Sequence, residues 1–412
     1  MSAGASKNIV IVATFIIATT LAPPSSGVAD DHRLNSATQQ TPQGSAPAET
    51  SVRLTLPPQC FAVVGQEFRI DFGNVLSADT KQQLRFTVDI QGVAANGDKA
   101  TTLGDPSAKR FAWTPPAEAV GRRRLTMTVH DVAGKLIDQA TTELCVAPAA
   151  AGADRELKLL IVGDSLTHST LYPNEWARLL NLSGNPKWTM LGTHRPAEAA
   201  TGVAHEGYGG WQWRTFVSHY APKPDPAKRI RSSPFVFLGD DGKPRLDLPR
   251  YFRESCGGRS PDVVTFLLGI NDCFAAPAND AAALDRHIDG VLEQADLLLA
   301  AFRAAAPNAK LAVCLTPPPN ARDEAFVANY KDKYPRSGWV RIQRRLVERQ
   351  LRHFGGREQE RIFVVPTELD LDVVDGYPEN NGVHPNASGY ARIAATLHAW
   401  LKWQLHLDSS RS

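Results

Sequence analysis

Hydrophobic positions change their period along the chain, and the change marks its organisation. In residues 51–148 apolar and polar positions alternate over short runs: Phe68, Ile70 and Phe72; Leu84, Phe86, Val88 and Ile90; Leu125, Met127 and Val129. A period of two, broken by turn residues, predicts strands with one buried face, packed as a small antiparallel β-sandwich. From Leu157 the runs become continuously apolar. LKLLIVG (157–163), KWTMLGT (187–193), DVVTFLLG (262–269), KLAVCLTP (310–317) and RIFVVP (361–366) predict five strands covered on both faces, as in a parallel sheet. Between them, Leu284, Ile288, Val291, Leu292, Ala295, Leu298, Leu299 and Phe302 follow a 3.6-residue period, and Pro307 stops that helix. A last helix from about Ala387 sets Ile393, Leu397, Trp400 and Leu401 on one face. Strands alternating with helices predict an α/β, doubly wound fold, with chemistry at the carboxyl ends of the strands. Segment 218–256, rich in Pro and Gly, fits no repeat and reads as an insertion.

The amino terminus adds a location. Lys7, the apolar run Ile9–Ala22 and the small residues at 27–29 predict a secretory signal over 1–29. The run is short of the roughly 20 residues that span a bilayer, so an exported protein, periplasmic or secreted, without stable membrane insertion is expected. Residues 30–50 read as a flexible linker, 51–148 as the β-domain, 149–156 as a second linker and 157–405 as the α/β domain. Within the β-domain, WTPP (113–116) and HDVAGK (130–135) resemble Ig-like or cadherin-like modules of exported proteins. The 412 residues carry 45 basic and 43 acidic side chains, which gives no general case for nucleic acid as a partner. The basic stretch RIQRR (341–345) reads as a solvated helix face. Five cysteines contain no CxxC pair, which argues against a zinc site. Cys314 lies in an apolar run. Cys60 and Cys145 lie near the two ends of the β-domain, where export permits them to bridge.

Four short motifs carry candidate chemistry, each after a strand. GDSLTHS (163–169) sets Ser165 just past the first strand, where a serine serves as an exposed nucleophile beside backbone N–H groups. Read alone, GDS is equally a helix cap. HEGYGGWQW (205–213) has three glycines in four positions, fit for close backbone approach or for a tight turn. GIND (269–272) sets Asn271 to donate an amide N–H toward an oxyanion, or to form an Asx turn. ENNGVHPNASGY (379–390) sets His384 ahead of the last helix, where it can take a proton from Ser165.

Together and in this order, GDS, the glycine of YGGW, GIND and GVHP closely resemble the blocks of the SGNH, or GDSL, hydrolase superfamily, over about 245 residues from 157 to 402. The resemblance implies a flavodoxin-like five-stranded sheet. It also implies Ser165 as nucleophile, His384 as general base, and an oxyanion hole from the Ser165 backbone, Gly210 and Asn271, with Gly209 a near competitor for the glycine. It implies no cofactor and no metal. His168, His194, His205 and His219 are too scattered to argue ligands. One departure stands out. The family's last block usually reads DxxH, and here Asn381 occupies the acid's place. Asn381 orients His384, or Asp375 or Glu379 has taken the role, or the site runs as a dyad; only Asn381 keeps the family's spacing. Tyr208, Trp211 and Trp213 are placed either to stack on a sugar or to pack under the loop. The expected protein is an exported serine esterase for acyl, chiefly acetyl, esters of a small molecule or polysaccharide. A catalytically weak or inactive carbohydrate-binding protein and a lipid esterase are the alternatives.

Overall fold

The computed structural model describes residues 52–77, 83–91, 109–225, 228 and 230–410; the expected signal (1–29) and linker (30–50) lie outside the described residues. In chain order the elements are β1 (Gln59–Val63), β2 (Phe68–Asp71), β3 (Arg85–Ile90), β4 (Arg110–Trp113), β5 (Gly121–His130), β6 (Leu136–Ala147), β7 (Glu156–Gly163), α1 (Ser165–His168), α2 (Leu171–Leu180), β8 (Lys187–Leu191), β9 (Glu206–Gly207) and α3 (Trp213–Ser218). There follow β10 (Val236–Leu238), β11 (Pro244–Leu246), α4 (Leu248–Ser255), β12 (Val263–Leu267), α5 (Ile270–Cys273), α6 (Ala281–Ala305), β13 (Lys310–Cys314), α7 (Asp323–Tyr330), α8 (Arg336–Phe354), β14 (Ile362–Val365) and α9 (Ala387–Ser409).

The larger sheet runs β8-β7-β12-β13-β14, all parallel, with short β9 added beside the end of β7. Every residue of β12 and β13 is buried, as continuous apolar strands require when helices cover both faces. The strand order reverses between β7 and β12, which opens a crevice at their carboxyl ends. Asp280 caps α6 by accepting the Ala283 N–H, and Asn386 caps α9 through the Gly389 N–H. The 218–256 insertion contributes the β10–β11 hairpin and α4.

The amino-terminal strands form a four-stranded sheet, β1-β6-β5-β3, and a two-stranded ribbon, β2-β4, around a small core of their own. The β3–β5, β5–β6 and β2–β4 pairs are antiparallel as expected, but β1 runs parallel to β6. That pairing sets the cysteines apart. Cys60 lies opposite Leu144, and Phe61 opposite Cys145. Successive side chains alternate across a sheet, so Cys60 faces the small core and Cys145 the larger one. The two do not bridge, and all five cysteines are free and buried.

The described residues form one compact unit. The outer face of β1 and β6 packs on α9. Residues 149–156, read as a linker, are held against the same helix: Lys402 Nζ donates to the carbonyls of Ala151 and Gly184, both at 2.6 Å.

Candidate active site

Ser165 opens α1 directly after β7, an interior strand of the sheet. Asp164 caps that turn through the Leu166 N–H at 2.9 Å. Burial pushes the Asp164 carboxyl up to about 7, and the nearby Asp272 carboxylate adds to this. The Ser165 N–H, at the first position of a helix, has no intrahelical acceptor, and it has no other partner among the described residues.

His384 Nε2 lies 2.8 Å from Ser165 Oγ. On the other side of the ring, Nδ1 lies 3.0 Å from Asn381 Oδ1. The same oxygen accepts the backbone N–H of Val383 at 3.2 Å and of His384 at 3.0 Å. A backbone N–H only donates, so these two contacts fix the amide with its oxygen inward. That in turn makes Nδ1 the protonated nitrogen and leaves the Nε2 lone pair facing the serine hydroxyl. Burial holds the imidazole down, to about 4, with no carboxylate acting against it. Asp375 and Glu379 are exposed. The Asp375 backbone carbonyl serves the helix cap by accepting Asn386 Nδ2 at 2.8 Å.

The glycine-rich and GIND segments are laced together. Asn271 Nδ2 donates to the Trp211 carbonyl at 3.1 Å, Gln212 Nε2 to the Asn271 carbonyl at 2.6 Å, and the Trp213 N–H to Asp272 Oδ1 at 3.0 Å. One N–H of the Asn271 amide is left over. Gly269 turns the chain out of β12 with φ at 128°, where a Cβ would meet Thr316 Oγ1 at 2.9 Å. Gly210 takes φ at 81° and is exposed, and its N–H has no acceptor among the described residues. A Cβ built on Gly209 would stand 4.0 Å from Ser165 Cβ, so Gly209 borders Ser165.

The aromatic set divides. Trp213 is 1% exposed and stacks on Phe266, so it is a core residue with no face to offer a sugar. Tyr208 is also buried, its hydroxyl donating to Glu206 at 2.5 Å. Trp211 alone of the three is half-exposed, lying against Tyr208.

Two features escaped the sequence reading. Glu206 is fully buried beside the site and accepts from Tyr208, Tyr251 and both the N–H and hydroxyl of Thr193. This fixes the strand that leads to the glycines. His168, His194 and His205, read as scattered, lie together: His194 stacks on His168 with Nε2 3.0 Å from its Nδ1 and meets His205 edge-on. Burial pushes His194 down to about 4 and His205 to about 3. No metal-binding group of three or more His, Cys, Asp or Glu occurs among the described residues.

The model of the GDSL-like Lipase/Acylhydrolase family matches residues 161–392. No curated protein matches the chain. Similar solved structures include a carbohydrate esterase family 3 protein from Talaromyces cellulolyticus, 19% identical over 60% of this chain and 98% of that one, with a TM-score of 0.36. Another is a family 3 carbohydrate esterase from Clostridium thermocellum, 18% identical over 62% and 98%, with a TM-score of 0.34.

Proposed function

Since the chain belongs to the GDSL-like lipase/acylhydrolase family and is an ester-hydrolysing enzyme, we propose that it is an exported serine esterase whose Ser165, His384 and Asn381 cleave acyl esters, chiefly acetyl, carried on carbohydrate. Ser165 Oγ attacks the acyl carbonyl while His384 Nε2 takes its proton. The oxyanion is held by the N–H groups of Ser165 and Gly210 and by the Asn271 amide. Collapse of this intermediate breaks the ester bond, and His384 returns the proton to the leaving alcohol. Water, deprotonated by the same nitrogen, then releases the acid and restores the serine.

The observation that carries this reading is the relay Ser165 Oγ–His384–Asn381, with the tautomer set by two backbone N–H groups. Trp211, whose backbone carbonyl accepts from the Asn271 amide and whose side chain is half-exposed, supports a sugar as the alcohol. The apolar leader supports export. The uncharged Asn381 favours a second reading, a carbohydrate-binding protein with little or no turnover. Acetate release from a panel of acetylated polysaccharides, comparing the wild type with Ser165→Ala, separates the two. Release that depends on Ser165 supports the esterase. Binding without release supports the second reading.

A further inference from the structure

A neutral amide orients His384 by geometry alone, so the stiffness of the segment bearing Asn381 and His384 matters more here than beside a carboxylate. That segment, residues 366–384, leaves β14 and crosses the amino-terminal strands before it reaches the site. Leu369 is 2% exposed and belongs to the small core between the two β-layers. The Asp71 N–H donates to the Leu369 carbonyl at 2.9 Å. Asn74 Nδ2 donates to the carbonyls of Glu368 and Leu371, each at 2.8 Å. Arg110, on β4, pairs with Asp372.

From Asp372 the contacts continue to the histidine. Its Oδ1 accepts the N–H groups of Val374 at 2.7 Å and Asp375 at 2.9 Å, closing a tight turn. The Gly376 carbonyl at the end of that turn accepts the Asn386 N–H at 2.9 Å, two residues past His384. On the near side, Asn320 Nδ2 holds the carbonyls of Pro378 at 2.8 Å and Asn381 at 3.0 Å. Hydrogen bonds and an ion pair tie the β-layer to the 372–376 turn, and short stretches of backbone join that turn to Asn381 and His384.

We propose that the amino-terminal β-layer is part of the catalytic apparatus, with Asn74 and Arg110 as positioning residues that hold His384 on Ser165 through the 366–384 segment. The proposal rests on the esterase reading and adds to it. Losing such a brace shifts the imidazole by a fraction of an ångström, enough to cost about tenfold in turnover, while substrate contacts are untouched.

The test compares Asn74→Ala and Arg110→Gln with Val88→Ala, which loosens the same β-core without removing a hydrogen bond or ion pair to the segment. Turnover of p-nitrophenyl acetate, melting temperature and backbone hydrogen exchange are measured on the full chain. The first two variants should lose kcat about tenfold with KM within about twofold, and amides of 372–386 should exchange faster. Val88→Ala should lower the melting temperature with kcat unchanged. In an Asn381→Asp background, where charge holds the ring, the Asn74→Ala loss should shrink to about threefold or less. Unchanged kcat and exchange in Asn74→Ala and Arg110→Gln overturn the brace, as does an equal loss in both backgrounds. A wild type that hydrolyses no ester refutes the esterase reading instead, and the exchange data still decide the brace.

Discussion

Asn381→Asp puts a charge where the structure holds a neutral oxygen. The two backbone N–H groups on Oδ1, at 3.2 and 3.0 Å, hold a carboxylate as readily as an amide, and the Nδ1 contact at 3.0 Å becomes an ion pair once the ring is protonated. At about 4 Å between charge centres and an effective dielectric near 20, the attraction is about 4 kcal/mol. Desolvation of the new carboxylate removes part of it. A carboxylate at this range raises a neighbouring cation's pKa by about one to three units, at 1.36 kcal/mol each. Burial holds the wild-type His384 at about 4, so its imidazole stays neutral and able to accept a proton well into acid. The acid limb of kcat/KM should therefore fall near pH 4 to 5 and move up by about one to three units in Asn381→Asp. The plateau should rise by roughly 10- to 100-fold, because only part of the imidazolium charge exists in the transition state. The ceiling is about four orders of magnitude, the effect of the reverse change in a serine protease. Asn381→Ala should fall below the wild type, since it also strands two backbone donors, at about 1–3 kcal/mol each where buried. The assay is initial rate against p-nitrophenyl acetate from pH 3.5 to 9. An Asn381→Asp profile that overlies the wild type, or an Asn381→Ala variant with full activity, refutes the assignment. A crippled Asp375→Asn would place the orienting group in the neighbouring turn.

Asn271→Ala should lower kcat by about two to three orders of magnitude, the effect of one lost oxyanion donor; near-normal kcat would remove Asn271 from the mechanism. Trp211→Ala should raise KM for acetylated polysaccharide and leave p-nitrophenyl acetate hydrolysis within about twofold. Trp213→Ala should destabilise the fold by about 3–5 kcal/mol, read by denaturant titration. Intact mass after alkylation in denaturant without reductant should show five modified cysteines; only three would mean a disulfide.

Much of this was legible in the sequence because it rests on local pattern. The runs at 157–163, 262–269 and 310–317 became the buried strands β7, β12 and β13, and the 3.6-residue period at 281–306 became α6. Ser165, Asn271 and His384 each follow a strand of one parallel sheet, so the fold gathers them in its crevice whatever lies between. What depends on tertiary neighbours was hidden. Trp211 and Trp213 lie two positions apart, and only the packing of α3 on the core decides which one is covered. The parallel β1–β6 pair sends Cys60 and Cys145 to opposite faces, which spacing along the chain does not reveal. Glu206 left one signal, an acid in a short strand next to glycine, but its four donors come from residues 193 to 251. The histidine cluster joins α1, the loop after β8 and the approach to β9, three places with no sequence period in common.

Every step proposed above requires that Ser165 be a nucleophile activated by His384. Intact-mass analysis after brief exposure to a fluorophosphonate tests it most directly, since the adduct forms only on an activated serine and needs no knowledge of the substrate. The account predicts one phosphonyl adduct on the wild type, located to the peptide containing Ser165, none on Ser165→Ala, and labelling slowed by orders of magnitude in His384→Ala. A well-folded wild type that takes up no label, or a label that persists in Ser165→Ala, would contradict it.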